Sequence, residues 1–90
     1  MKFEWDTLKA RINWRKHKVS FEEAFSVYAD HLAITFADLD HSNSEEIFLT
    51  FGVTEDGRLL AISHNECASK IRIISARLAT RLERKIYEQE

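Results

Sequence analysis

Seven side chains near the C-terminus have the chemistry to hold an anion: Lys70, Arg72, Arg77, Arg81, Arg84, Lys85 and Tyr87. Guanidinium groups grip phosphate through paired hydrogen bonds and stabilise charge that develops in a transition state. Strand alternation puts Lys70 and Arg72 on one sheet face and Ile71 and Ile73 on the other. Strict alternation also turns Arg77 away from Arg72, so uniting them requires a bulge or the end of the strand. The same residues suit a charged sheet face and a solvated helix equally well. His64 and Glu66 are a second candidate, a base and a carboxylate just past a strand end. His64 also continues the apolar row of Leu60 and Ile62, which suits a strand-end residue with a satisfied imidazole. Asp38, Asp40 and His41 look superficially like metal ligands, but they share one polar loop, whereas metal sites draw on several segments. His17 and His31 read as helix-end residues, where a cation suits the dipole. Cys67 stands alone, so neither an internal disulfide nor a cysteine-based metal finger is expected. The reading is of no metal and no cofactor.

These residues need elements to position them. Lys2 to Trp5 alternates polar and apolar residues and predicts a short strand. Asp6 can cap a helix that runs to about His17 or Lys18, with Leu8, Ile12 and the stem of Arg15 on one face. Ser20 and Glu23 fit a capping box, with Val19 and Ala24 placed to close a hydrophobic staple. Phe21, Ala24, Phe25 and Tyr28 then mark an apolar stripe, read as core. From Leu32 the period changes, and Leu32, Ile34 and Phe36 alternate as in a strand. Residues 38–45 are a polar loop. Residues 46–53 predict the next strand, rich in β-branched and aromatic side chains. Glu55, Asp56 and Gly57 signal a hairpin turn. Strands are predicted over 58–64 and 70–77, with a second turn over 65–69. Thr80 and Glu83 form another capping box, opening a C-terminal helix with Leu82 and Ile86 one turn apart. The predicted fold is α+β: a short N-terminal strand, two helices, an antiparallel β-meander of about four strands and a C-terminal helix.

Ninety residues, read as one domain over 1–90, bury a single small core. An apolar share of 44% is ordinary for a folded protein. No apolar run approaches the roughly 20 residues that span a bilayer, and the N-terminus lacks an apolar signal core, so a soluble, cytoplasmic protein is expected. The net charge of −2 hides a strong partition. Residues 1–20 carry six Lys and Arg against two acids; residues 21–67 carry Arg58 against ten acids; residues 68–90 carry six Lys and Arg against three acids. Two basic ends therefore flank an acidic middle. If the ends meet in the fold, they form a surface able to bind phosphate. Solvated helix faces account for the same charges.

Motifs in a fixed order cover almost the whole chain. They start with Phe3-Glu4-Trp5-Asp6, Lys16-His17 and Val19-Ser20-Phe21-Glu22-Glu23-Ala24. They continue with Asp40-His41-Ser42, Phe48-Leu49-Thr50 before Gly52, and Gly57-Arg58-Leu59-Leu60. They end with His64, Glu66, Ile71-Arg72-Ile73-Ile74-Ser75-Ala76-Arg77, Glu83-Arg84 and Tyr87. In this order and at these spacings the set resembles the BrnT family of bacterial toxins. The resemblance implies a toxin of a type II toxin–antitoxin pair with a RelE-like fold, an endoribonuclease that inhibits translation. It implies neutralisation by a BrnA-type antitoxin in a hetero-oligomer that represses its own operon, with operator DNA reached only through the antitoxin.

On that reading Arg72 and Arg77 contact the phosphate and its transition state. His64 or Glu66 is the acid or base, and Tyr87 supports from the helix. Lys70, Arg81 and Arg84 bind RNA. RNA brings its own nucleophile, the 2′-hydroxyl, so no metal is needed. Three positions depart from the family pattern. Lys18 stands where glycine is usual, and Ile47 and Cys67 stand where a basic residue is expected. Those two changes motivate an alternative, a weak or silent module that complexes an antitoxin and assists operator repression. A third possibility is a small α+β domain with an unrelated partner.

Overall fold

The computed structural model of the chain describes residues 2–40 and 46–89. His41 and Ser42 lie outside the described residues, as does the side chain of Cys67. The chain runs β1 (Lys2–Trp5), α1 (Thr7–His17), α2 (Phe21–Ser26) and a 3-10 turn (Val27–Ala29). It then continues through β2 (Ile34–Ala37), β3 (Phe48–Val53), β4 (Leu59–Cys67), β5 (Lys70–Leu78) and α3 (Arg81–Glu88). This is the predicted α+β order. The strands form one sheet in the order β1-β5-β4-β3-β2. Strands β2 to β5 are the antiparallel meander, and β1 joins β5 in parallel, with Glu4 beside Arg72. The sheet is therefore mixed, and the first and last strands are neighbours.

Strand β4 runs on into the predicted turn, as far as Cys67. The reversal is made by Ala68 and Ser69 alone, both at positive φ. A two-residue turn of that hand keeps the strands paired to their ends, even without glycine. Gly57 supplies the positive φ at the other hairpin, where its amide closes on Thr54.

One sheet face packs on α1 and α2. Val19, Phe21, Ala24 and Val27 are fully buried there against Leu60, Ile62, Ile73 and Ala76. Val19 and Ala24, the predicted staple pair, both belong to this cluster. Phe3 meets Phe25 edge-on at 4.4 Å between ring centroids and Tyr28 at 4.8 Å, while Phe25 keeps an exposed side. Gly52 is essential to this layer, because an added Cβ would sit 2.5 Å from Val27. On the opposite face α3 packs against β3, where Phe51, Leu59 and Ala61 are buried and Phe36 lies edge-on to Phe51.

Helix α1 differs from its predicted orientation. Asp6 caps it as expected, accepting from the amides of Leu8 and Lys9. Yet Leu8 is 60% exposed and Ile12 44%, while Asn13 is the buried residue. The reason lies in the sheet edge. Strand β1 pairs with β5 only as far as Ile73, so at Ala76, which pairs with β4 on its other side, β5 has no strand on its β1 side among the described residues. The Asn13 amide fills that place. Its Oδ1 accepts from Ala76 N at 3.0 Å, and its Nδ2 donates to Ala76 O at 2.8 Å and to Val19 O at 3.0 Å. Satisfying a buried edge outweighs burying two apolar side chains. The helix ends at Lys18, which adopts φ 56°, ψ 38°, with its amide bonded to Trp14 O. That left-handed C-cap is the conformation glycine adopts most readily, and here a lysine adopts it.

The two capping boxes differ. In α3 both halves form: Thr80 Oγ1 accepts from Glu83 N, and Glu83 accepts from Thr80 N. In α2 only the first half forms. Ser20 accepts from Glu23 N, but the Glu23 carboxylate turns to Arg58, whose Nε approaches within 2.8 Å and whose second guanidinium nitrogen also bonds it. A charge-assisted pair displaces the weaker reach back to a backbone amide. The α3 stripe of Leu82 and Ile86 is exposed rather than buried.

Candidate functional site

Between β4 and β5 the register slips. Ser63 pairs with Ser75, but the next residue of β4, His64, pairs with Ile73, so Ile74 is an extra residue in β5. Alternation resumes one step out of phase after such a bulge. Asn65, Ser63 and Ala61 share one face of β4, and their partners are Arg72, Ser75 and Arg77. The bulge therefore puts Arg72 and Arg77 on the same sheet face, opposite α1 and α2. Strict alternation alone would have separated them.

A groove of about 590 Å³ runs along that face. Leu49, Ser63 and Ser75 form its floor in one cross-strand row, with Ile47 and Ile74 beside them. Asp38, Asp40 and Arg77 are its charged residues. Arg77 is held there by Glu83 through two bonds, at 2.7 and 2.9 Å. The guanidinium keeps the Glu83 carboxyl below its usual pKa against the upward push of burial, and Glu83 raises Arg77 in return. Glu83 thus caps α3 and pins Arg77 with the same carboxylate. Arg72 stands five residues along the strand, roughly 16 Å away, and bonds Glu4 at 3.1 Å. Lys70 approaches the same Glu4 at 3.8 Å.

The other predicted site residues are elsewhere. His64 and Glu66 lie on the opposite face from the arginines. His64 is 1% exposed, stacked on Phe48 and edge-on to Tyr28. Its Nε2 meets Thr50 Oγ1 at 2.9 Å, which in turn meets Thr35 Oγ1 at 2.6 Å, while Nδ1 is buried without a partner among the described residues. In this position His64 cannot touch a substrate. Glu66 is exposed near the β4–β5 turn. Tyr87 donates to Asp30 at 2.7 Å, and burial with that bond pushes its pKa up to about 12. Burial pushes the Asp30 carboxyl up, but the Tyr87 hydroxyl and the amides of Val53 and Leu32 outweigh it and hold it below its usual value. Arg81 and Arg84 are exposed on α3, and Arg84 lies 3.7 Å from Glu88. Among the described residues no three His, Cys, Asp or Glu side chains converge as metal ligands.

Burial alone depresses the His64 imidazole to about 4. The sign follows from linkage. The unfolded chain, with a His pKa of 6.5, binds the proton that the folded chain refuses. Stability is therefore full above about pH 6.5 and is lost as pH falls toward 4. His64 should contribute about 2 kcal/mol of that loss by about pH 5. Urea unfolding of wild type and His64→Phe across this range measures it, since the variant should show a shallower acid slope.

Sequence reasoning missed Ser63, Ser75 and Leu49 as groove residues. Their only signal was strand alternation, and its phase depended on the bulge. In the sequence Asp38 and Asp40 stand out only as a metal-like spacing, whereas in the structure they line the groove.

Fold and groove together define a small α+β protein with a guanidinium set among hydroxyls on an open sheet face. A family model for the ribonuclease toxin BrnT of type II toxin–antitoxin systems matches residues 5–83, and the chain belongs to this family. Membership implies an antitoxin partner. The crystal structure of the Brucella abortus ribonuclease toxin BrnT aligns with a TM-score of 0.70 and 23% identity, covering 90% of this chain and 99% of that one. At that identity the likeness speaks for the fold. No curated protein matches the chain. No helix among the described residues is long and apolar enough to cross a membrane.

Proposed function

We propose that the chain is a metal-independent endoribonuclease toxin, acting on RNA in the cytoplasm, inhibiting translation and neutralised by a BrnA-type antitoxin that carries the operator-binding part. The observation that carries this reading is the groove with Arg77 on its wall and Ser63 and Ser75 on its floor. Cleavage by the RNA 2′-hydroxyl needs alignment, proton movement and a donor aimed at the phosphorane. Arg77, oriented by Glu83, supplies the fork of donors. Arg72 is too distant for the same phosphate and suits a neighbouring stretch of the strand, with Lys70 beside it. Proton transfer in the groove falls to Asp38 or Asp40, the carboxylates that line it, rather than to His64. Arg81 and Arg84 extend the positive field along α3.

The test is cleavage of a labelled RNA by the purified protein in EDTA. Products that form in EDTA, with a cyclic phosphate end, support the reading. Cleavage that requires a divalent metal would overturn the mechanism. One observation favours the alternative of a silent antitoxin-binding module: Ile47, at a position where a cation is expected, lines this groove. A folded protein that neither cleaves RNA nor slows growth would select that alternative.

A further inference from the structure

The cations at the two ends of the chain are in different states. In the C-terminal part four of the six, Lys70, Arg72, Arg77 and Arg84, have a carboxylate partner. In α1 the opposite holds. Between Thr7 and Lys18 the sequence has Lys9, Arg11, Arg15, Lys16 and Lys18 with no acid among them. All five are exposed, and among the described residues none forms an ion pair. Favourable interaction with the helix dipole accounts for Arg15 and Lys16 in the last turn, but not for Lys9 and Arg11 in the first half.

Two stripes follow from the helical period. Lys9, Ile12, Lys16 and His17 face β5 across a cleft of about 270 Å³, whose other wall is Ile74 and Ser75. Those two residues also line the Arg77 groove. The two depressions therefore meet at the bulge. The second stripe is Arg11, Trp14, Arg15 and Lys18. Trp14 is 50% exposed, with the Lys18 ammonium 5.6 Å from its ring centre.

We propose that α1 is the docking surface for single-stranded RNA. Its unpaired cations track the phosphate backbone, Trp14 offers a stacking face for a base, and the cleft leads the strand across the bulge to Arg77. This rests on the ribonuclease reading above and adds where the substrate binds. Unpaired cations interleaved with an exposed aromatic are how proteins hold single strands. A protein partner would fit this surface poorly, because protein interfaces are depleted in lysine and have apolar centres.

The experiment uses the full chain and a 2′-O-methyl oligonucleotide of mixed sequence, which binds but offers no nucleophile. Binding is followed by tryptophan fluorescence and by anisotropy of a labelled strand over a salt series. K9Q/R11Q/R15Q/K16Q should weaken binding at least tenfold. It should also flatten the log–log salt dependence by roughly 3, at about 0.7 per cation for a single strand. R11Q/R15Q, which leaves the cleft intact, should show about half of that change and provides a second variant if the quadruple one unfolds on a circular dichroism melt. Unchanged affinity and slope in a folded variant would overturn the proposal. So would displacement of the oligonucleotide by poly-glutamate at equal charge, which would assign α1 to an acidic polypeptide. Cleavage in EDTA is scored separately. A wild-type chain that cleaves RNA while the variants bind normally sinks only this proposal; one that neither cleaves nor binds sinks the ribonuclease reading with it.

Discussion

Asn13→Ala should destabilise the chain by about 4 kcal/mol, a large share of the stability of a domain this size. The side chain is 5% exposed and makes three hydrogen bonds to backbone groups of Ala76 and Val19. Removing it leaves one amide and two carbonyls buried with no partner in reach, at roughly 1–3 kcal/mol each before relaxation. Relaxation and water entry bring the sum down. The measurement is urea unfolding of wild type, Asn13→Ala and Asn13→Leu. Leucine fills the volume without any hydrogen bonding, so it should lose nearly as much as alanine. A stable Asn13→Leu protein would show that α1 is held by packing instead. The effect should extend to function, because α1 carries the proposed RNA surface and Asn13 is its fixed point on the sheet.

Asn13 also shows where the sequence stopped being legible. A helix pattern gives its apolar stripe, and Leu8 and Ile12 were the natural choice. What decided the orientation was a backbone edge left open where β1 ends, and that edge belongs to β5, sixty-three residues further along the chain at Ala76. Local features fared better. Asp6, Ser20, Thr80 and Gly57 act through neighbours within a few residues, and each does what its type and position dictate. Glu23 broke its box because Arg58, thirty-five residues later, offered a stronger partner.

The candidate site followed the same division. That Arg72 and Arg77 need a bulge to share a face could be read from alternation, but the place of the bulge could not, since Ile73-Ile74 has no glycine or turn residue to mark it. His64 looked equally suited to catalysis and to a strand end. The side chains around it, Tyr28 and Phe48, resolve this by closing over the imidazole from another helix segment and another strand. Tyr87 likewise reads as a helper on a basic helix until Asp30 is seen opposite its hydroxyl.

Arg77→Ala should cut RNA cleavage by about a hundredfold or more, the usual cost of losing a preorganised donor at developing charge. It should also lower stability, because the Arg77–Glu83 pair ties the start of α3 to β5. That pair is partly exposed, with side-chain accessibilities of 37% and 14%, so about 1–2 kcal/mol is the expected loss. Both effects follow from one substitution, so the variant alone cannot separate chemistry from folding. Glu83→Gln separates them. Glutamine keeps an oxygen for Thr80 N, so the cap survives, but the ion pair is lost and Arg77 stays in the groove. Its stability should fall about as far as that of Arg77→Ala, while its cleavage should fall by less than in Arg77→Ala, because the guanidinium stays in the groove but loses the carboxylate that orients it. Arg77→Lys adds a third point: it keeps the charge but not the two-pronged fork, and should recover only part of the rate. Rates and melting temperatures measured on the same preparations decide the matter. A folded Arg77→Ala chain cleaving at the wild-type rate would remove Arg77 from the mechanism and leave Arg72 as the remaining guanidinium on that face. Equal loss of cleavage in Arg77→Ala and Glu83→Gln would mean that the ion pair, and the placement of α3 it secures, is what the reaction requires.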